Sequence, residues 1–85
     1  MAEIEPLKVI ELSKFERAAR ELFSATEKQT LLDFVIGHPE TGDVIPGTGG
    51  MRKMRWTSKG RGKRGGARVV YYYFVRGETI FFVTA

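Results

Sequence analysis

The run from Ala67 to Val75, ARVVYYYFV, determines more of the fold than any other part of the sequence. Nearly every residue in it is β-branched or aromatic, so both faces of the resulting strand are apolar. A strand with two apolar faces lies in the middle of a sheet and is covered on both sides. The run therefore predicts a central strand, for which the rest of the chain must supply neighbours and cover.

Three shorter segments supply the predicted neighbours. Met51 to Thr57 alternates, with Met54 and Trp56 on one face and basic side chains on the other. Thr79 to Thr84 is apolar and follows a tight Gly-Glu turn. The run Pro6 to Leu12 adds a strand near the start of the chain. The sheet is therefore expected to hold four strands.

Two amphipathic helices are predicted between the first strand and the others. Ser13 to Glu16 has the pattern of a capping box, in which the serine and glutamate side chains each accept a hydrogen bond from the other residue's amide. Apolar residues then recur at helical spacing from Lys14 to Phe23. Thr26 to Gln29 repeats the capping pattern before a second apolar stripe, which Gly37 and the following His-Pro end. The two helices form a hairpin.

The resulting order, β-α-α-β-β-β, predicts a single α+β domain over residues 1–85, with the helical hairpin packed on a mostly antiparallel sheet. Pro39 to Gly50 is expected to form turns, because it holds two prolines and four glycines. The chain stops at Ala85 directly after an apolar strand. Exposed strand ends are usually covered, so we expect a C-terminal segment to be missing.

Charge is distributed unevenly along the chain. From Met1 to Gly42 eight acids face five bases, whereas from Asp43 to Ala85, which we call the basic half, nine bases face two acids. Eight of the nine lie between Gly47 and Tyr73, interleaved with glycines and aromatic residues. Such a surface suits a polyanion whose bases stack, which means nucleic acid and RNA in particular. The alternative is a solvated basic hairpin.

Composition excludes several classes of function. The chain has no cysteine, so it forms neither a disulfide nor a thiolate metal site. Its one histidine, His38, precedes a proline at a helix end, where a capping role is expected and a two-histidine nuclease mechanism is excluded. The basic half offers only Asp43 and Glu78 as acids, so neither a metal nor another cofactor is expected. No membrane span or signal peptide is recognisable, which favours the cytoplasm.

The candidates for RNA binding are the basic residues of this region: Arg52, Lys53, Arg55, Lys59, Arg61, Lys63 and Arg64. Four of them belong to the loop SKGRGKRGG, whose glycines allow backbone amides and cations to wrap a phosphate chain. The loop also matches GxGxxG, but it joins two strands and therefore does not fit a dinucleotide site. The alternative is again a solvated turn.

Arg68 is the most informative single residue, because it lies in an otherwise apolar strand, where a charge rarely lacks a use. By alternation it shares a face with Tyr72, and both line the open face if the helices cover the other. The alternative is a buried ion pair with an acid such as Glu11. Trp56 is placed in the core by its parity with Met54, with base stacking as the alternative.

The blocks GDVIPGTGGMRKMRW and GKRGGARVVYYYF resemble the RelE/ParE superfamily of bacterial toxins, in its HigB-type branch. The resemblance runs over essentially the whole chain, from KVIELSKF to IFFVTA. The fold it implies is a compact β-α-α-β-β-β domain, in agreement with the order above. Most characterised relatives are mRNA interferases, which cut messages, usually on the ribosome. HigB-type toxins of these type II systems are typically neutralised by a helix-turn-helix antitoxin.

The resemblance implies metal-free RNA cleavage, in which a ribose 2′-OH attacks the adjacent phosphate. It matches Arg68 to the arginine that stabilises that phosphate. The acid or base is then a loop lysine such as Lys63, a tyrosine such as Tyr72, or a group in the missing segment, since relatives usually continue into a basic tail. Two alternatives stay open. One is a truncated toxin that only binds antitoxin or RNA, and the other is a gyrase poison of the ParE kind.

Overall fold

The computed structural model describes residues 7–56 and 66–85, which form two helices and five strands. The helices are α1 (Ser13–Leu22) and α2 (Ala25–Gly37). The strands are β1 (Lys8–Glu11), β2 (Asp43–Val44), β3 (Met51–Trp56), β4 (Ala67–Phe74) and β5 (Thr79–Thr84). The predicted order is confirmed, with the two-residue β2 as an addition inside the segment expected to form turns. No helix in these two ranges is long and apolar enough to cross a membrane.

The five strands form one sheet in the order β1-β5-β4-β3-β2, so β4 is central, as its sequence predicts. All neighbours are antiparallel except β1 and β5, which run parallel. β4 ends one residue before the predicted Val75, because Val75 begins the turn closed by the hydrogen bond from the Glu78 amide to its carbonyl. Glu78 accordingly has a positive φ of 52°.

Both helices pack on one face of the sheet and bury the core there. The fully buried side chains include Phe15, Leu31 and Val35 of the helices and Val69 and Tyr71 of β4. The expected cover on both sides of β4 is wrong for the described residues, because the helices lie only on the Val69 and Tyr71 side. No helix packs on the other side of the sheet among the described residues, and we call that side the open face. The β4 residues that alternate with Val69 and Tyr71 point to it.

The helix starts differ from the predicted capping boxes. Ser13 is already helical, and Leu12 is the N-cap without a side-chain hydrogen bond. The capping box of α2 is formed by Ser24 and Glu27 rather than by Thr26 and its successors, with hydrogen bonds of 3.1 and 2.8 Å. Ser24 takes this role because its extended backbone (φ −74°, ψ 170°) precedes the first helical turn, whereas Thr26 already lies inside it.

Candidate nucleic-acid interface

The open face brings together three cations from two adjacent strands. Arg55 of β3 is paired with Arg68 of β4, and Lys53 of β3 is paired with Val70. Partners directly opposite in an antiparallel pair project from the same face, about 4.5–5.5 Å apart at Cβ. Lys53, Arg55 and Arg68 are all exposed. We call these three residues the cation cluster.

Aromatic side chains lie beside the cation cluster on the same face. Tyr72 faces Phe81 across the β4–β5 pair, with ring centroids 6.2 Å apart, and the Phe74 ring stacks at 6.2 Å and 19° from that of Tyr72. Ile10 of β1 is the register partner of Phe81. These four residues form what we call the aromatic patch. Side chains of the kind that contact phosphates thus adjoin rings of the kind that stack with bases.

Arg68 does not form the ion pair that the alternative interpretation requires. Glu11 is on the helix side of the sheet, where its carboxylate accepts a hydrogen bond of 2.9 Å from Lys28 of α2. Within residues 7–56 and 66–85, no acid lies at ion-pair distance from Arg68. The reason is alternation along β1, which directs Glu11 towards α2 and away from the face of Arg68.

Arg52 is separated from the other strand cations. It is paired with Tyr71, so it points to the helix side of the sheet. Its Nη1 atom donates to the Gly42 carbonyl at 2.7 Å and to the Glu40 carbonyl at 3.2 Å. The guanidinium therefore fixes the chain that leads from α2 into β2. Of the predicted RNA-binding residues, Lys53 and Arg55 share the open face and Arg52 does not.

The predicted loop cations lie outside the described residues: Lys59, Arg61, Lys63 and Arg64. The two strands that bear this loop end at the cation cluster, since Arg55 pairs with Arg68 and the next pair is Trp56 with Ala67. The loop sequence therefore begins and ends within a few residues of Arg55 and Arg68. Lys63 stays a predicted catalytic residue without a described position.

Two further predictions from sequence are confirmed. Trp56 packs in the core against Phe34 of α2, with ring centroids 5.4 Å apart, and is not on the open face. His38 caps α2, since its amide donates to the Phe34 carbonyl at 2.9 Å and its Nδ1 atom lies 3.0 Å from the same oxygen. Among the residues with described positions, no group of three His, Asp or Glu side chains is placed to hold a metal ion.

Tyr71 has a role that sequence reasoning missed. Its hydroxyl donates to the Pro39 carbonyl at 2.8 Å and accepts from the Gly42 amide at 2.9 Å, inside the core. Burial raises the pKa of the Tyr71 hydroxyl above its ordinary 10.0, and the Gly42 hydrogen bond and the Arg52 charge oppose that rise. Alternation places Tyr71 on the side of the strand opposite Tyr72, but no local pattern indicates that its hydroxyl binds the chain after α2.

Comparison with known structures identifies the architecture. No protein-family model matches the sequence. The toxin–antitoxin complex RelBE from E. coli contains a chain that superimposes with a TM-score of 0.68 over 92% of both chains, at 17% identity. The fold is that of RelE. A double-arginine mutant of E. coli RelE in the free state also matches, with a TM-score of 0.59 and 18% identity, over 94% of this chain and 81% of that one. The RelE-like order predicted from the sequence is therefore confirmed.

Proposed function

We propose that this chain is the toxin of a type II toxin–antitoxin pair, in the HigB-type branch of the RelE/ParE superfamily. We propose further that it is an endoribonuclease that acts without a metal ion, on translated mRNA in the cytoplasm. The observation that carries the proposal is the position of Arg68. This exposed arginine lies on the open face of a RelE-like sheet, opposite Arg55 and on the same strand face as Tyr72.

Electrostatics supports RNA as the ligand. The cation cluster is exposed, and the loop sequence between β3 and β4 contains four more cations, in a half of the chain with only two acids. Phosphate contacts with lysine and arginine supply most of the affinity for nucleic acid, and aromatic rings add stacking with single-stranded bases. The aromatic patch lies next to the cation cluster, so one strand of RNA has both kinds of contact on one face.

The chemistry requires a base, an acid and a group that stabilises charge. The base removes the proton from a ribose 2′-OH, whose oxygen then forms a bond to the adjacent phosphorus. The bond from phosphorus to the 5′-oxygen breaks, the acid protonates that oxygen, and a 2′,3′-cyclic phosphate and a 5′-OH result. Arg68 donates hydrogen bonds to the phosphate oxygens, on which negative charge grows in the transition state.

Spacing along β4 assigns different tasks to the other two candidates. Arg68 and Tyr72 are four residues apart on one strand, which separates their Cα atoms by about 13 Å. Tyr72 also lies between the rings of Phe74 and Phe81. These contacts favour Tyr72 as a surface for a neighbouring base over Tyr72 as a proton donor at the phosphate held by Arg68. Lys63, in the loop sequence next to Arg68, is the better candidate for acid or base.

An antitoxin is the proposed protein partner. The matching RelE chain belongs to a complex with its antitoxin. Here the aromatic patch includes Ile10 and Phe74, which are 42% and 39% exposed. A helix-turn-helix protein encoded beside this chain, with an acidic segment that covers the cation cluster, is the expected partner, because exposed apolar surface rimmed by charge is typical of protein interfaces.

The test is cleavage of a translated reporter mRNA by the purified chain in a reconstituted translation reaction. We expect the translated message to be cleaved. Cleavage should stop when the co-expressed neighbouring antitoxin is present. DNA gyrase supercoiling is assayed beside it. Inhibition of gyrase without RNA cleavage would instead establish the ParE-type activity, and binding without either effect would establish a non-catalytic module.

A further inference from the structure

The central strand extends past its neighbour at one end of the sheet. The first residue of β3, Met51, is paired with Tyr72, so Tyr73 and Phe74 have no partner on the β3 side among the residues the structure describes. On the other side they remain paired with β5. The chain before β3 turns away at Gly49 and Gly50, which have positive φ angles of 77° and 119°. A cleft of about 340 Å³ occupies the resulting gap.

The backbone of Tyr73 faces this gap. The Met51 amide donates to the Thr48 hydroxyl and the Met51 carbonyl accepts from the Ile45 amide, so both groups of Met51 point towards β2. Because hydrogen bonds alternate along an antiparallel pair, Arg52 points to β4 and exchanges its bonds with Tyr71. Tyr73, two residues further on, therefore directs its amide and its carbonyl into the cleft, where no described residue meets them.

The rim of the cleft is largely apolar and carries two arginines and one exposed acid, Glu40. Val44 is 52% exposed and Val75 is 61% exposed, and both line the cleft with Phe74. Arg76, in the turn after β4, is exposed at the rim, whereas the other arginine there, Arg52, is bound to two carbonyls. We call this cleft, with the unpaired backbone of Tyr73 at its centre, the β4 notch.

We infer that the β4 notch binds an extended, acidic peptide segment of a partner protein, which adds to β4 as a short strand in line with β3. Unpaired amide and carbonyl groups of a strand edge are satisfied together by another backbone. An aliphatic side chain of the segment packs on Val44 and Val75, and a carboxylate pairs with Arg76. The acid-poor basic half of the chain favours an acidic partner.

This surface shares Tyr72 and Phe74 with the aromatic patch but does not include the cation cluster. Val75 lies seven residues beyond Arg68 along the chain, or about 23 Å when extended. The notch also differs in chemistry, because it offers a backbone edge and aliphatic side chains where the cation cluster offers three charges. A peptide in the notch therefore leaves Arg68 accessible, and the inference holds whether or not the chain cleaves RNA.

The probe is an acetylated, amidated hexapeptide of alternating glutamate and valine, titrated into the ¹⁵N-labelled chain. We expect hydrogen exchange at the Tyr73 amide to slow at least tenfold at saturation, with the largest chemical-shift changes at residues 73–76. The same peptide with N-methyl groups on alternate residues keeps its charge but loses the amides that face β4, so it should bind at least tenfold more weakly. Equal binding of the two peptides would overturn the inference.

Variants at the rim provide the second test. Val75→Asp and Arg76→Glu change exposed side chains, and each should weaken peptide binding at least tenfold with an unchanged circular dichroism spectrum. Arg17→Glu is the matched control for the charge reversal, since Arg17 is also exposed but lies on α1 and does not line the notch, and this variant should bind as the unmodified chain does. Absence of peptide binding, or protection of the Tyr73 amide by single-stranded RNA instead, would exclude a peptide site.

Discussion

Arg55 and Arg68 lie directly opposite each other on the open face, one on β3 and one on β4. Like charges at opposed positions of an antiparallel pair destabilise a sheet by a few tenths to about 1 kcal/mol. Both side chains are exposed, and the pair lies next to the end of the β3–β4 pairing. Local arrangements that oppose stability are typical of binding and catalytic sites, so the pair is the first place to test function.

Replacing Arg68 by alanine separates catalysis from stability. We expect RNA cleavage to fall about 10²-fold or more, as when one donor to a developing anion is lost. The free energy of unfolding should stay within about 0.5 kcal/mol, because Arg68 is exposed. Lys14→Ala, an exposed charge on α1, is the control and should leave both quantities unchanged. A large drop in melting temperature for Arg68→Ala, with activity that follows only the folded fraction, would contradict a catalytic role.

Binding of single-stranded RNA should depend strongly on salt. If four to six cations contact phosphates, the logarithm of the association constant should fall against the logarithm of salt concentration with a slope of about −3 to −4, at roughly 0.7 per contact. Lys53→Ala should reduce the slope by about 0.7, whereas Arg20→Ala on α1 should not change it. Fluorescence anisotropy with a labelled oligonucleotide measures both, and a flat dependence would remove the electrostatic argument.

The Tyr71 hydroxyl should contribute to stability and the Tyr73 hydroxyl should not. Tyr71→Phe leaves the buried Gly42 amide without its acceptor, which costs about 1–3 kcal/mol. Tyr73 is half-buried, and its hydroxyl makes no side-chain hydrogen bond within residues 7–56 and 66–85, so Tyr73→Phe is the matched control. Urea unfolding followed by circular dichroism compares the two. Equal losses in both variants would show that Tyr71 does not hold the chain after α2.

Stability should also fall at alkaline pH because of Tyr71. Burial raises its pKa in the folded state above 10.0, so the folded state keeps this proton at pH values where the unfolded state has lost it. The free energy of unfolding therefore decreases as pH rises from about 10 through the higher folded pKa. Urea midpoints between pH 8 and 11 should fall less steeply for Tyr71→Phe than for the unmodified chain. Parallel curves for the two proteins would contradict the shift.

Replacement by alanine should lower the free energy of unfolding at Gly42 but not at Gly37. A Cβ atom at Gly42 would lie 2.8 Å from the Lys53 carbonyl oxygen, so Gly42→Ala must displace backbone and should destabilise the fold by about 1–3 kcal/mol. A Cβ atom at Gly37 meets nothing within 4 Å, and Gly37→Ala should be neutral or stabilise the last turn of α2 by up to about 1 kcal/mol. Thermal unfolding of both variants measures the difference, and equal changes would contradict the close contact at Gly42.

Local patterns in the sequence predicted most of the fold. Alternation placed Arg68 and Tyr72 on the open face, and β-branched and aromatic residues identified β4 as the central strand. Both patterns depend only on residues that are close together in the sequence, so they can be recognised without knowledge of tertiary contacts. The predicted capping box at Ser13 was wrong. The residue at which a helix begins depends on where the preceding strand ends, and a local pattern does not show that.

Contacts between distant residues were not predictable in this way. No local pattern shows that Glu11 binds Lys28, that the Arg52 side chain reaches the Gly42 carbonyl, or that β4 extends beyond β3 at Tyr73. Each of these depends on the register of strands that are far apart in the sequence. The composition of the region supported RNA binding as a hypothesis, but only the strand register separated Arg52 from the two neighbouring cations of the cluster.

The parallel pairing of β1 with β5 has a consequence for synthesis of the chain. Lys8 is the register partner of Thr79, and among the described strands β1 pairs only with β5, so its strand hydrogen bonds form only after β5 has been synthesised. Contacts of such long sequence separation form late in folding. During translation the helices and the β3–β4 hairpin emerge first, and the sheet closes only after β5 has left the ribosome. A partly synthesised chain therefore lacks the finished sheet.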